Sequence, residues 1–159
     1  MPATPTEVFH RLVTGITAKS WTDLAPLYAE DAQVSMPFGL PEPVVLRGRE
    51  EIAQHFAGSA AVPLRFAIQN VVIHQTTDPD VIIAEFDYDG QVTTTGHTFR
   101  FSNVQVLRVR DGLIAETRDY HDHARIGAAL ARQEPGRNPA SGARQEPGPQ
   151  EPVGSNSER

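Results

Sequence analysis

The half of the chain after residue 64 constrains the fold most, because it consists of β-rich segments separated by short turns. Residues 65–75 and 81–88 are rich in β-branched and aromatic side chains, with a Thr-Asp-Pro-Asp turn cluster between them. Residues 91–110 and 113–122 follow, and each begins directly after an Asp-Gly pair, which is favoured in two-residue hairpin turns. The pattern predicts four strands in an antiparallel meander, with Gly96 interrupting the long third strand.

The residues before this meander have the periodicity of helices. Thr4, Pro5 and Glu7 form a capping-box sequence with Pro at the first helical position. The apolar residues that follow recur at helical spacing and predict one buried stripe: Val8, Phe9, Leu12, Val13 and Ile16. A second helix is predicted over residues 20–28, after an N-cap sequence, and a third over residues 49–57.

Helices followed by an antiparallel meander are typical of the α+β class. A short strand at residues 34–36 and a proline-rich loop at 37–43 separate the second predicted helix from the third. A strongly curved sheet with helices on its concave side would leave a pocket between the two layers. Residues 1–131 are therefore predicted to form one domain, close to the usual size of about 100–150 residues.

Composition changes abruptly near Arg132. From there onward Pro, Gly, Gln, Glu, Arg and Ser dominate, and Val153 is the only sizeable aliphatic residue. Such a segment cannot bury enough apolar surface to offset the entropy of ordering it, so residues 132–159 are predicted to be a disordered tail. The hexapeptide at 131–136 recurs at 143–148, which slippage duplication explains better than a peptide-docking role.

Bulk properties exclude several classes of function. The chain has no cysteine, which excludes disulfides, thiolate catalysis and thiolate metal sites. No segment approaches the ~20 apolar residues of a membrane span, and the N-terminus lacks the pattern of a secretory signal, so a cytoplasmic protein is expected. With a net charge of −6 and no basic patch, the domain is not expected to bind nucleic acid.

Three segments resemble one superfamily. Residues 24–39 (LAPLYAEDAQVSMPFG), 46–52 (LRGREEI) and 106–122 (VLRVRDGLIAETRDYHD) resemble the opening, the third helix and the closing hairpin of nuclear transport factor 2-like proteins, SnoaL-like branch. The resemblance covers about residues 5–127. It implies a cone-shaped α+β barrel, in which a strongly curved, mostly antiparallel sheet wraps around three N-terminal helices. This cone hosts cyclases, isomerases, dehydratases, epoxide hydrolases and non-catalytic binders, so activity depends on individual residues.

The resemblance does not support ketosteroid isomerase chemistry. The base aspartate of those enzymes falls at Met36 of this chain, and their oxyanion-hole tyrosine falls at Leu12. Their second oxyanion donor falls near Gln105. Because two of the three positions are apolar here, the groups needed for that proton transfer are missing.

Asp119 is the functional position that other members of the superfamily imply. It matches the general acid of limonene-type epoxide hydrolases, but the other positions of their constellation hold Val34, Met36, Phe86 and Tyr88. In SnoaL-type polyketide cyclases, an acidic residue near the end of the sheet acts as acid and base in an intramolecular aldol closure. The resemblance makes Asp119 the candidate for that role.

Strand parity gives the other candidate cavity residues, because side chains two apart on a strand share a face. If Asp119 points into the cone, Thr117 and His121 do so too, while Arg118 and Tyr120 point outward. On the neighbouring strands, the family alignment implies that the inward residues are Phe86, Tyr88, Phe101, Asn103 and Gln105. Trp21 and Met36 could border the pocket. An apolar cavity with a few convergent polar groups is typical of a ligand site.

Asp119 and His121 are the candidate catalytic residues. A carboxyl desolvated among aromatic rings has a raised pKa, which suits it to hold or accept a proton, whereas a neighbouring protonated His would lower that pKa. Tyr88, Asn103 and Gln105 could donate hydrogen bonds to a substrate carbonyl as it becomes an enolate.

Structural roles would explain the same residues. Asp119 could pair with Arg108 or Arg125 and close the sheet, and His121 could pack at the pocket rim. His121 and His123 share a strand face, but further ligands at a telling spacing are missing, so no metal is expected. No nucleophile or redox cofactor is implied either.

The sequence therefore predicts a cofactor-independent enzyme that acts on a hydrophobic, carbonyl-bearing small molecule by acid/base catalysis, as a cyclase, isomerase or dehydratase of secondary metabolism. The alternative is a non-catalytic pocket or dimerisation module of the same fold, and an epoxide hydrolase is less well supported. Val104, Val106, Ile114 and Tyr120 are expected on the outer sheet face. Because an apolar exposed face usually marks an interface, a homodimer formed sheet to sheet is expected.

Overall fold

The computed structural model describes residues 1–132, so the predicted disordered tail lies outside the described residues except for its first position. No helix in this range is long and apolar enough to cross a bilayer. The helices are α1 (Pro5–Thr17), α2 (Gly48–Ala60) and α3 (His123–Ala131), with short 3-10 helices at Trp21–Asp23 and Ala25–Leu27. The strands are β1 (Tyr28–Met36), β2 (Val44–Arg47), β3 (Leu64–Gln75), β4 (Val81–Val92), β5 (Thr98–Arg110) and β6 (Leu113–Tyr120).

All six strands form one mixed sheet in the order β2-β1-β6-β5-β4-β3. Neighbouring strands are antiparallel except β1 and β6, which are parallel. The predicted α+β class and curved, mostly antiparallel sheet are confirmed, but the expected closure into a barrel is wrong. The four-residue strand β2 and the strand β3 remain as the two edges. Helix α1 packs against β3 to β6 and helix α2 against β1 and β2, so helices cover the concave face.

Helix α1 begins and packs as its sequence predicts. The backbone N–H of Glu7 donates to Thr4 Oγ1 (3.3 Å), and the backbone N–H of Thr4 donates to a Glu7 carboxylate oxygen (2.8 Å). This reciprocal pair satisfies two of the amide groups that a helix start leaves free. The buried face of α1 consists of Val8, Phe9, Leu12 and Val13.

The second predicted helix is wrong. Residues 21–27 form two 3-10 turns, and Tyr28 already begins β1. Pro26 explains the difference, because proline inside a helix lacks the N–H that the next turn needs. The prediction also missed β2, most of β1 and helix α3. The Asp122 side chain caps α3 by accepting from the backbone N–H of Arg125 at 3.0 Å.

The expected hairpin turn at Asp89 and Gly90 is also wrong. Strand β4 continues through both residues, which pair with Arg100 and Phe99 of β5. The chain reverses after Val92 instead, and Gly96 there has a φ of 75°, a left-handed conformation that glycine adopts without strain. Gly90 is required for a different reason, because a Cβ built on it would lie 2.5 Å from the Phe99 ring.

A bulge in the β5–β6 pairing alters the expected parity of β6. Gln105 pairs with Asp119 and Arg108 with Glu116, but the register then shifts, and Val109 pairs with Ile114. The bulge turns Ile114 into the core, where it is 0% exposed, so its expected position on the outer face is wrong.

Replacing Gly90 with Val tests the packing of the Phe99 ring across β4 and β5. Because the ring occupies the space that a side chain would need, we expect Gly90→Val to lower the free energy of unfolding by about 1–3 kcal/mol in urea denaturation. Gly58→Ala is the control, since nothing lies within 4 Å of that Cβ and alanine favours the helix. Equal stability of Gly90→Val and the parent protein would contradict this packing.

Candidate functional site

A cavity of about 300 Å³ lies between the concave face of the sheet and the helices. All six strands contribute to its lining, and residues of α1, α2 and α3 cover it. Its lining is mostly aliphatic and aromatic, with these polar or titratable exceptions: Trp21, Tyr28, His55, Ser59, Tyr88, Gln105, Asp119, His121 and His123. No Lys or Arg of residues 1–132 lines it.

Most of the sequence-predicted site residues meet at this cavity. Those that line it are Asp119, His121, Tyr88, Gln105, Phe101, Met36 and Trp21. Two others do not line it, and their predicted place in the pocket is wrong. Phe86 packs instead against Phe9 of α1, with ring centroids 5.5 Å apart. Asn103 pairs with Phe86 across the strands and is 2% exposed, in the part of the sheet that α1 covers directly.

Asp119 is buried in the cavity wall beside a neutral partner. The residue is 8% exposed, and Gln105 Nε2 donates a hydrogen bond of 2.6 Å to Oδ1. Arg108 pairs with Asp78 at 2.8 Å, and Arg125 lies near Asp122, so neither arginine binds Asp119. Across the described residues no ion pair involves Asp119.

This environment shifts the pKa of Asp119 towards neutrality. Burial raises the pKa to about 6, and hydrogen bonding by Gln105 and Thr117 acts in the opposite direction without cancelling it. The carboxyl can therefore exchange a proton near physiological pH, which an exposed aspartate cannot do efficiently.

Two tyrosine hydroxyl groups face the same region. Tyr28 and Tyr88 are buried, and burial followed by the charge of Asp119 raises the pKa of each above its ordinary value. Both therefore keep their protons at neutral pH and can donate hydrogen bonds to a ligand oxygen. The sequence missed Tyr28 because residues 20–28 were assigned to a helix, which conceals the inward parity of β1.

Three histidines lie around one end of the cavity. The His121 ring lies 5.8 Å from Tyr88 and 5.6 Å from His123, measured between ring centroids. Burial, with smaller effects of His123 and His55, lowers the pKa of His121 to about 4. Burial also lowers the pKa of His55 and of His123. Sequence reasoning missed His55 and His123 as cavity residues because α2 and α3 bring them there from distant positions.

Metal binding has no support in this cluster. Throughout residues 1–132, no three His, Asp or Glu side chains converge closely enough to hold a metal ion.

Several polar atoms near the cavity have no hydrogen-bond partner. Three of them belong to lining residues: Trp21 Nε1, Gln105 Oε1 and His123 Nε2. Both amide atoms of Asn103 are also buried and unpaired. Buried polar groups in proteins are normally satisfied, so such a concentration indicates where a ligand or water can bind.

The fold and cavity define a class of protein. A curved sheet covered by helices, with an apolar cavity and a few polar groups, is the architecture of nuclear transport factor 2-like small-molecule-binding and enzyme domains. The family model described as SnoaL-like domain matches residues 9–117, and the chain belongs to this family.

Individual relatives agree with this assignment. A PhzA/B-like protein of Pseudomonas aeruginosa is 32% identical over 126 residues, which cover 78% of this chain and 86% of the relative. A candidate isomerase of Bacillus subtilis has a similar structure, with a TM-score of 0.74 at 23% identity, covering 80% of this chain and 92% of that one. For a candidate polyketide cyclase of Pseudomonas putida the TM-score is 0.65 at 19% identity, covering 78% and 96%. At these identities the two structures show the fold alone.

The opposite pKa shifts of Asp119 and His121 predict a measurable pH dependence of stability. Asp119 titrates at about 6 in the folded protein against an ordinary value of 3.8, so the folded state holds more protons and loses stability as pH rises from about 4 to 6. His121 titrates at about 4 against 6.5, so its contribution to stability rises with pH over about 4 to 6.5.

Asp119→Asn removes only the first of these contributions. We expect the variant to gain stability relative to the parent protein as pH rises from 4 to 6, by up to about 3 kcal/mol, measured by urea denaturation at each pH. A stability difference that does not change with pH would show that Asp119 does not titrate in this range.

Proposed function

We propose that the protein is a cofactor-independent enzyme that transfers protons on a hydrophobic, carbonyl-bearing small molecule. The observation that carries this proposal is the position of Asp119, a carboxyl in the wall of an apolar cavity whose hydrogen-bond partner is the neutral amide of Gln105. A structural carboxylate at such a depth is normally paired with a cation. The absence of an ion pair to Asp119 among residues 1–132 favours a chemical role.

Asp119 takes the role of base and acid. In its ionised form it removes a proton from the carbon next to the substrate carbonyl, and it then returns that proton to another position. Its raised pKa makes both steps efficient near neutral pH. Gln105 acts as a positioning residue, because its amide N–H holds one oxygen of the carboxylate, Oδ1.

The remaining cavity groups stabilise the charge that this step creates. As the proton leaves, the carbonyl oxygen becomes an enolate, and the Tyr28 and Tyr88 hydroxyls can donate hydrogen bonds to it. His121 is uncharged at neutral pH and lies against the Tyr88 ring, so it can accept or relay a proton. Cyclisation, isomerisation and dehydration all begin with such a proton removal, and the proposal is made at the level of that shared step.

Similar proteins agree with this reaction class. A candidate isomerase and candidate polyketide cyclases share the fold. The competing function is binding without catalysis, which the mostly apolar lining favours. The two functions differ in whether the bound molecule exchanges protons with Asp119.

Hydrogen exchange on a simple ketone distinguishes catalysis from binding. 2-Tetralone is a compact hydrophobic ketone, and replacement of its α-hydrogens by deuterium in heavy water can be followed by proton NMR. We expect the protein to accelerate this exchange and the rate to rise with pH through about 6, as Asp119 becomes ionised. Asp119→Asn should lower the rate at least about 100-fold, because it removes the base.

Asp111→Asn is the matched control for this experiment. Asp111 lies in the turn before β6 with a φ of 53°, a conformation that asparagine also adopts readily, and it does not line the cavity. The exchange rate of 2-tetralone with Asp111→Asn should equal the rate with the parent protein. A parent protein that binds 2-tetralone in a thermal shift assay without accelerating exchange would favour the binding function.

We also propose that the protein forms a homodimer through the outer face of the sheet. Val104 is 36% exposed there and pairs with Tyr120 on β6, while the neighbouring Val106 is partly exposed. The Tyr120 ring also contacts the ring of Phe38, which is 62% exposed. These residues form one apolar strip on the outer sheet face, and burial of such a strip stabilises a dimer.

A charge in the middle of this strip should separate the subunits. We expect the parent protein to have a dimeric mass in light scattering after size-exclusion chromatography, and Val104→Lys to have a monomeric mass. Val71→Lys is the control, because Val71 is similarly exposed (37%) but lies beside the bulge of the edge strand β3. A monomeric mass for the parent protein would overturn the dimer.

A further inference from the structure

We propose that the molecule bound in this cavity carries a second, neutral carbonyl oxygen, which accepts a hydrogen bond from Trp21 Nε1 in the helical cover, whereas Asp119 lies in the sheet. This inference rests on the proposed function, since it describes the substrate of the same cavity. It assigns Trp21 as a residue that determines specificity and does not take part in proton transfer.

The unpaired atoms of the cavity lie in two groups. Gln105 Oε1 lies in the sheet, beside the carboxyl of Asp119. Trp21 Nε1 and His123 Nε2 belong to partly exposed residues of the helical cover, on the 3-10 turn at Trp21–Asp23 and on α3. The turn that carries Trp21 packs against α2 and α1, so its indole lines the cavity from the side of the helices.

Ring contacts place the indole against α2. The Trp21 indole stacks on Phe56 at 6.4 Å between centroids, and Phe56 in turn contacts Tyr28 of β1 at 5.9 Å. The ring contacts of Trp21 thus run to a helix and then to β1, whereas Asp119 lies on β6 with Gln105 as its hydrogen-bond partner. The two polar groups belong to different walls of the cavity, so we assign them to different groups of the ligand.

Each unpaired atom determines which hydrogen-bonding group the ligand must carry opposite it. The indole N–H of Trp21 can only donate, so its partner is an acceptor. The amide Oε1 of Gln105 can only accept, so its partner is a hydroxyl or enol donor of the ligand. The bound molecule thus has a donor near Asp119 and an acceptor at Trp21, joined by a hydrophobic body that the aliphatic and aromatic walls enclose.

Charge decides between a neutral acceptor and an anion. The lining contains no Lys or Arg among the described residues, and burial keeps His121 and His123 mainly uncharged at neutral pH. A carboxylate on the ligand would be desolvated without a counter-ion and would share the cavity with ionised Asp119. A ketone, ester or quinone oxygen avoids both penalties.

Two ligands that differ in a single group, a carbonyl oxygen or a CH₂, test this assignment. 6-Acetyl-2-naphthol carries a donor and a carbonyl acceptor, and 6-isopropenyl-2-naphthol replaces the carbonyl oxygen with an isosteric CH₂ group. We expect isothermal titration calorimetry to show that the acetyl compound binds about five- to tenfold more tightly, the range of one buried hydrogen bond. In Trp21→Phe the ratio of the two dissociation constants should fall to about one.

A spectroscopic measurement makes the test independent of the variant. The chain has one tryptophan, so the ¹⁵N-labelled full-length protein has a single indole N–H signal. We expect this proton to shift downfield with 6-acetyl-2-naphthol and to shift far less with the isopropenyl compound. 6-Hydroxy-2-naphthoate, which carries a carboxylate in place of the ketone, should bind more weakly than the acetyl compound at pH 7.5.

Several results would overturn the inference. These are equal affinities for the two naphthols, an unchanged preference in Trp21→Phe, equal indole shifts, no binding of either compound, or tighter binding of the carboxylate. Failure of this inference can be distinguished from failure of the catalytic proposal, because ligand preference is measured at equilibrium without turnover. A retained preference in a protein that does not accelerate ketone exchange would overturn only the proposed reaction.

Discussion

The pairing of β5 with β6 is the constraint on which the site depends. It places Gln105 opposite Asp119, so that the amide reaches the carboxyl at 2.6 Å. A slip of one residue would turn Asp119 to the outer face, because strand side chains alternate. This register ends at the bulge near Ile114, which turns the Ile114 side chain into the core. Within β6, the bulge therefore separates Ile114, which only packs, from the cavity residue Asp119.

The cavity persists because helices cover the sheet without filling the space between them. Phe9 of α1 packs directly on Phe86 and leaves no room there. Towards β1 the cover is made by the stacked rings of Trp21 and Phe56, which span the space above Tyr28. Flat rings cover a large area with few rotatable bonds, so they form a stable wall of the cavity.

The arginines of the sheet pair with carboxylates at the surface, and this leaves Asp119 without a cation. Arg100 pairs with Asp89, Arg108 with Asp78 and Arg110 with Asp31, and all three arginines are substantially exposed. Pairs in such positions contribute little to stability, since water screens them. They do hold the basic side chains at the surface, so the interior keeps a low polarity in which burial has the largest effect on the pKa values of Asp119 and His121.

The sequence by itself determined the α+β class and helix α1, because capping and periodicity are local properties of the chain. Alternation along the strands, anchored by the family resemblance, predicted Asp119, Gln105 and Tyr88 as cavity residues. Only the tertiary structure decided the open sheet, the continuation of β4 through Gly90 and the inward turn of Ile114, since these depend on pairing between distant segments. It also added Tyr28, His55 and His123 and excluded Asn103 from the cavity, because the depth of each side chain depends on which helix packs above it.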